Sequence, residues 1–213
     1  MGVFQFQEIG RLKRIVDFLT GKRRTIMLTG YSGAGKTTIL TALGKRDDVC
    51  DEDVNIRTTG FIRYHIEYET NDGEKLYIRS DDSEGLAKTV NDEEFEKRLK
   101  AHHYILYLLN VNQFANGQDK SNNDRCLSWL QEVNKFAKRN NKTMMLVLTH
   151  ADEYLKSIGE EYTDENKAII RDLFLGDGGY LSEVKYSCVA EVANVQKYKE
   201  VRAIIEKLIQ LKN

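Results

Sequence analysis

At 213 residues, with 41% hydrophobic and 31% charged side chains, the chain holds enough apolar material for one substantial core without disulfide support. A net charge of -1 and a pI near 6.5 exclude an overall positive field that would draw it to nucleic acid. Cys50, Cys126 and Cys188 form no C-x-x-C pair for zinc or redox work, and no signal peptide or membrane-length run is legible, so a cytoplasmic protein is expected.

The first twenty residues place Phe6, Ile9, Leu12, Ile15, Val16 and Leu19 at helical spacing beside Arg11, Lys13 and Arg14, which predicts an amphipathic N-terminal helix over 1–20. Met1-Gly2 opens as an acylation signal would, but Phe6 stands where Ser or Thr is needed, so packing against the sheet or a partner is favoured over a membrane. Thr25 to Thr29 form a short apolar strand, and Gly30 to Thr37 read G-Y-S-G-A-G-K-T, a complete G-x-x-x-x-G-K-[ST] loop opening a helix over 36–45. Glycines 30, 33 and 35 leave room for a phosphate, and the backbone from Ser32 through Ala34 to Thr38 sits where N–H groups and the helix N-terminus face negative charge. Lys36 would reach the outer phosphates and Thr37 would offer its hydroxyl to Mg²⁺. This loop predicts nucleoside triphosphate binding.

Asp47, Asp48, Asp51, Glu52 and Asp53 read as a solvated acidic loop. Residues 60–69 and 75–80 alternate in polarity around Asn71-Asp72-Gly73, predicting a hairpin. Further strands are expected at 103–110, 144–149 and 184–187, and helices at 89–101, 121–140, 163–175 and 190–211. The adjacent pair His102-His103 has poor geometry for a metal on a helix. The predicted fold is α/β: a three-layer sandwich with a six-stranded, mostly parallel sheet, one antiparallel edge strand from the hairpin, and helices on both faces. No linker, repeat or low-complexity tract divides it, so a single domain over 1–213 is expected, with an insertion at about 154–180 serving as a partner surface or a plain helix.

The order of the phosphate loop, Thr58-Thr59-Gly60-Phe61 before the hairpin, Asp82-Ser83-Glu84-Gly85 at its exit, Thr149-His150-Ala151-Asp152 after a later strand and Ser187-Cys188 after the next resembles the motif series of P-loop regulatory GTPases. It is most similar to the Arf-type small GTPases and the α subunits of heterotrimeric G proteins, over residues 25–190. The resemblance implies GTP/GDP as bound nucleotide with Mg²⁺. Thr58 would place its hydroxyl on the metal and its N–H on the γ-phosphate, Asp82 would hold Mg²⁺ through water, and Gly85 would give its N–H to the γ-phosphate. Lys36, Thr58 and Gly85 would be the groups on the reacting phosphate. Asp81 is an alternative to Asp82, but only Asp82 has a glycine three residues on.

Asp152 would accept hydrogen bonds from the ring N–H and amino group of guanine, a pattern adenine does not offer. Thr149 and His150 stand in for the family's Asn-Lys, and the alternative is that Thr-His-Ala-Asp caps the helix starting near Glu153. Ser187 and Cys188 resemble the family's Ser-Ala loop, with the Cys188 N–H on the guanine oxygen. Leu86 occupies the place of the water-orienting glutamine and Asn55 that of the α subunits' arginine, while Arg57 reads as an exposed loop residue, so slow intrinsic turnover is expected. The resemblance implies an effector, an exchange factor and a GTPase-activating protein as partners. The alternatives are a P-loop phosphotransferase, for which Arg171 is the available lid arginine, and a GTP-binding scaffold without turnover.

Overall fold

A computed structural model describes residues 24–49, 63–70, 73, 75–81, 93–117, 120–182 and 189–211. Six strands form one sheet: β1 (Arg24–Gly30), β2 (Arg63–Glu69), β3 (Lys75–Asp81), β4 (Tyr104–Asn110), β5 (Thr143–Thr149) and β6 (Val189–Val192). Their order is β2-β3-β1-β4-β5-β6. All pairings are parallel except the hairpin, where Arg63 faces Asp81 and Glu69 faces Lys75. The expected α/β architecture is therefore present, with β2 as its antiparallel edge.

Two apolar cores sandwich the sheet, because successive side chains on a strand point to opposite faces. Ile26 and Leu28 of β1, Leu106 and Leu108 of β4, and Met145 and Val147 of β5 face one core. It is covered by α1 (Lys36–Lys45) and by the C-terminal helix, α7 (Tyr198–Gln210), through Ile39, Leu43, Ile205 and Leu208. Met27, Ile105, Tyr107, Leu146 and Leu148 face the other core. That side is covered by α2 (Glu93–Lys100), α3 (Val111–Asn116), α4 (Lys120–Arg139), α5 (Ala151–Ser157) and α6 (Asp164–Leu175). The central strands are buried on both sides, which is why they read as continuous apolar runs rather than alternating ones.

The C-terminal third departs from the sequence expectation. The strand expected at 184–187 lies outside the described residues, and where a helix was expected from 190 the chain instead forms β6 at Val189–Val192, with α7 beginning only at Tyr198. Pairing with β5, Met145 to Val189 and Leu148 to Val192, overrides the helical reading of Val-Ala-Glu-Val. The short helix α3, directly after β4, was not among the expected elements, and α5 starts at Ala151, two residues ahead of the helix start considered near Glu153; α3 is capped by the Asn110 side chain, which accepts from Gln113 N at 2.9 Å. The acidic stretch is also more than a solvated loop at Asp48, whose carboxylate accepts from Tyr198 N at 2.8 Å and pairs with Lys197 at 3.2 Å, capping α7 from across the chain. His102 and His103 tie α2 to the start of β1: His102 Nδ1 lies 2.6 Å from Arg98 O, and His103 Nδ1 accepts from Thr25 N at 3.2 Å. The helix expected at 1–20 lies outside the described residues, as does the start of the hairpin at 60–62.

Candidate functional site

β1 lies between β3 and β4, both later in the chain, so the loops leaving its C-terminal end open into a crevice between diverging connections. The phosphate-binding loop sits there. Gly30 holds φ 142°, and a Cβ at this position would stand 2.3 Å from the Leu108 carbonyl oxygen, so only glycine lets β1 and β4 come this close. Gly35 is the N-cap of α1 with φ 91°, and a Cβ there would meet Val195 Cγ2 at 2.8 Å and His150 Nε2 at 3.9 Å. Among the described residues no side chain caps this helix start, and no acidic residue stands in its first turn. The uncapped N–H groups and the positive end of the helix dipole form a receptor for an anion.

Lys36 is buried and donates to the carbonyls of Gly30 at 3.0 Å and Tyr31 at 3.1 Å, spanning the mouth of the loop. A phosphate entering the loop would take over these donors, a gain for the cation because a doubly charged oxyanion is a stronger acceptor than an amide carbonyl. Ser32 and Gly33 are exposed, Ala34 and Thr38 are buried, and Thr37 is half-buried in the first turn of α1. An exposed Gly33, a helix start whose N-cap is glycine, and a lysine folded over the loop fit a triphosphate. Thr37 fits a Mg²⁺ ligand by its place in that turn, whereas Thr58 and Asp82, the other two expected ligands, lie outside the described residues, as does Gly85.

The stretch Thr149 to Asp152 is joined to this loop. Thr149 is fully buried, and its Oγ1 donates to Ala34 O at 3.0 Å, with Leu109 O also within 3.2 Å. His150 takes a left-handed conformation, φ 56°, a strain of roughly 1–2 kcal/mol for a side-chain-bearing residue. Its Nδ1 lies 3.0 Å from Glu153 Oε1, and its buried Nε2 has no hydrogen-bond partner beside the phosphate loop. The Asp-cap alternative does not hold: His150 is the N-cap of α5 without a capping bond, and Asp152 lies inside the first turn. The Asp152 carboxylate instead accepts from Asn194 Nδ2 at 2.9 Å.

A family model described as 50S ribosome-binding GTPase matches residues 25–150, more than half of the chain. The chain belongs to this GTPase family. GTP binding and hydrolysis are accordingly the activity of its family, and the match runs from the start of β1 to His150, enclosing the phosphate loop and the strand that delivers Thr149. A search of the curated proteins finds no match. The narrower likeness to Arf-type small GTPases and G-protein α subunits rests on the sequence motifs alone.

Two residues that the structure joins to this candidate site were missed by the sequence reading. Asn110, at the end of β4, donates from Nδ2 to Gly33 O at 3.0 Å while capping α3. Its signal was present, since Asn-Val-Asn-Gln after an apolar run has the spacing of a capping box. Asn194 had no such signal, because it falls inside the helix expected over 190–211. β6 at Val189–Val192 is followed by Ala193-Asn194-Val195, while Ser187 and Cys188 lie outside the described residues. Leu86, Asn55 and Arg57 are likewise outside the described residues.

Proposed function

We propose that the protein is a small-GTPase-like molecular switch: it binds GTP and GDP with Mg²⁺, reads guanine through Asp152, and hydrolyses GTP slowly on its own. The observation that carries this reading is the bond from Thr149 Oγ1 to Ala34 O, 3.0 Å long and spanning 115 residues of sequence. It fastens the stretch bearing Asp152 to the loop that cradles phosphate, so one nucleotide spans both. His150 covers the crevice with its ring where the family carries a lysine stem, and the Ala193-Asn194 stretch takes the place on the base that Ser187-Cys188 were expected to take. Mg²⁺ held by Thr37, Thr58 and Asp82 would neutralise charge on the outer phosphates. Thr58 and Gly85 would sense the third phosphate, making 50–60 and 82–100 the segments that differ between states.

Leu86 offers no polar atom to orient water, so unassisted turnover of about 10⁻² per minute or less is expected, on the scale of GTPases without an activator. An effector, an exchange factor and an activating protein are the partners this reading calls for, in the cytoplasm. Arg171, the arginine considered for a phosphotransferase lid, pairs with Glu191 on β6 at 3.5 Å, a placement that favours the switch reading. Ribosome contact, named in the family's description, draws no help from a net charge of -1.

Calorimetric titration of the nucleotide-stripped protein with GTP and with ATP, both with Mg²⁺, tests the reading. A strong GTP preference that Asp152→Asn turns toward xanthosine triphosphate is the expected result. Equal or tighter ATP binding would overturn it.

A further inference from the structure

Asn194 is buried, and its orientation is fixed from both ends: Oδ1 accepts from Gln196 N at 2.9 Å, which leaves Nδ2 to face Asp152 Oδ2 at 2.9 Å. The Asn194 backbone N–H donates in turn to Glu200 Oε2 at 3.1 Å. That same oxygen accepts from the Tyr162 hydroxyl at 2.7 Å and from Lys167 Nζ at 3.2 Å. Lys167 belongs to α6, where it also pairs with Asp164 at 3.1 Å, and its ammonium lies 4.8 Å from the centre of the Tyr162 ring. Three donors from three separate places thus converge on one carboxylate oxygen. Two of them, Tyr162 and Lys167, come from the stretch at 154–180 that the sequence reading set aside as an insertion.

We infer that Asn194 is a positioning residue for the base-reading carboxylate, and that Glu200, Tyr162 and Lys167 couple it to the segment leading into α6, so that this segment sets how tightly and how selectively guanine nucleotide is held. The inference rests on Asp152 being the guanine reader. A carboxylate that must meet two donors on a base edge tolerates little rotation, and Asn194 is, among the described residues, the group bonded to it. Displacing α6 would draw Tyr162 and Lys167 from Glu200 and let the Asn194 loop shift. The effect would reach the base without any contact between α6 and the nucleotide. The chain of contacts is short and hydrogen-bonded throughout, the kind of network in which removal of one member is felt by the next.

The experiment measures dissociation of a fluorescent GTP analogue, and competition by GTP, inosine triphosphate and ATP, for the unmodified protein, Asn194→Ala, Tyr162→Phe and Lys167→Met, each with its melting temperature. Asn194→Ala should weaken GTP about tenfold while leaving ATP nearly unchanged, and Tyr162→Phe and Lys167→Met should each speed release about threefold. A purely structural role lowers melting temperature without moving the GTP-to-ATP or GTP-to-inosine ratio. Variants that melt earlier yet keep the unmodified ratios and release rates would overturn the coupling. If Asn194→Ala does not fold, the two α6-side variants decide alone. Absence of guanine preference in the unmodified protein would remove the base-reading site and the coupling together; retained preference with unmoved variants would remove the coupling alone.

Discussion

Gly35 is a position where the phosphate loop, α1 and the stretch after β6 meet, and Gly35→Ala tests that packing directly. At φ 91° an alanine carries a left-handed penalty of about 1–2 kcal/mol. Its new methyl would stand 2.8 Å from Val195 Cγ2, a stiff β-branched side chain that is itself buried, adding about 1–3 kcal/mol of overpacking. A total near 3 kcal/mol translates to a fall in melting temperature of roughly 6–12 °C for a chain of this size. Val195→Ala alone costs about 2 kcal/mol as a cavity. In the double variant the added methyl enters the space vacated by Val195, so only the backbone strain survives from the first substitution. The pair should therefore be more stable than the sum of the single changes by about 1–3 kcal/mol. Thermal unfolding of the four nucleotide-free proteins in parallel gives the number, free of any effect on phosphate binding. Additivity within about 0.5 kcal/mol would refute the packing of Val195 on Gly35.

Thr149→Val removes the hydroxyl that ties β5 to the phosphate loop and should cost about 1–2 kcal/mol while weakening GTP binding, with Thr149→Ser retaining both in calorimetry and thermal melts. The Asp48 carboxyl is held below its ordinary value of 3.8 by the Tyr198 N–H first and by Lys197 second, so the stability it lends is fully present above about pH 3.8 and is lost as pH falls below that through its lowered folded value. Asp48→Ala should thus melt earlier than the unmodified protein at pH 7, with the gap narrowing only below pH 3.8; a gap that already closes by pH 6 would contradict the capping role. Burial pushes the Cys126 thiol up to about 11, so iodoacetamide at pH 8 should leave it unlabelled in the native protein and label it in urea, as peptide mass spectrometry would report.

The central strands were legible because burial on both faces writes them as unbroken apolar runs, and Tyr104 to Leu109 shows this most plainly. The phosphate loop was legible for a different reason: its glycines answer local demands, Gly30 against the Leu108 carbonyl and Gly35 against Val195, which substitution cannot evade. β6 was not legible. Its four residues gain their strand identity from pairing with β5, where the sequence pattern had predicted the start of a helix. Thr149 and Asp152 stand out in the sequence as near neighbours, but the partners the structure gives them, Ala34 and Asn194, lie 115 and 42 residues away. Asp48 shows the same limit, since a carboxylate in an acidic run reads as solvent-facing until the helix it caps, 150 residues on, is in place.

The sheet order also dictates a timetable. β1 is made early, yet its two neighbours, β3 and β4, begin at Lys75 and Tyr104. A ribosome working from the N-terminus therefore releases an apolar strand that waits about fifty residues for its first partner and some eighty before both its edges are covered. The phosphate loop waits longer still, because Thr149 comes off the ribosome well after Ala34 does. A nascent chain stopped before β5 would carry every residue of the G-x-x-x-x-G-K-T sequence and lack the hydroxyl that fastens the loop from behind. Ligand added during synthesis would find its full foothold only after that point, which makes GTP a late reward for completed folding rather than a template for its first steps.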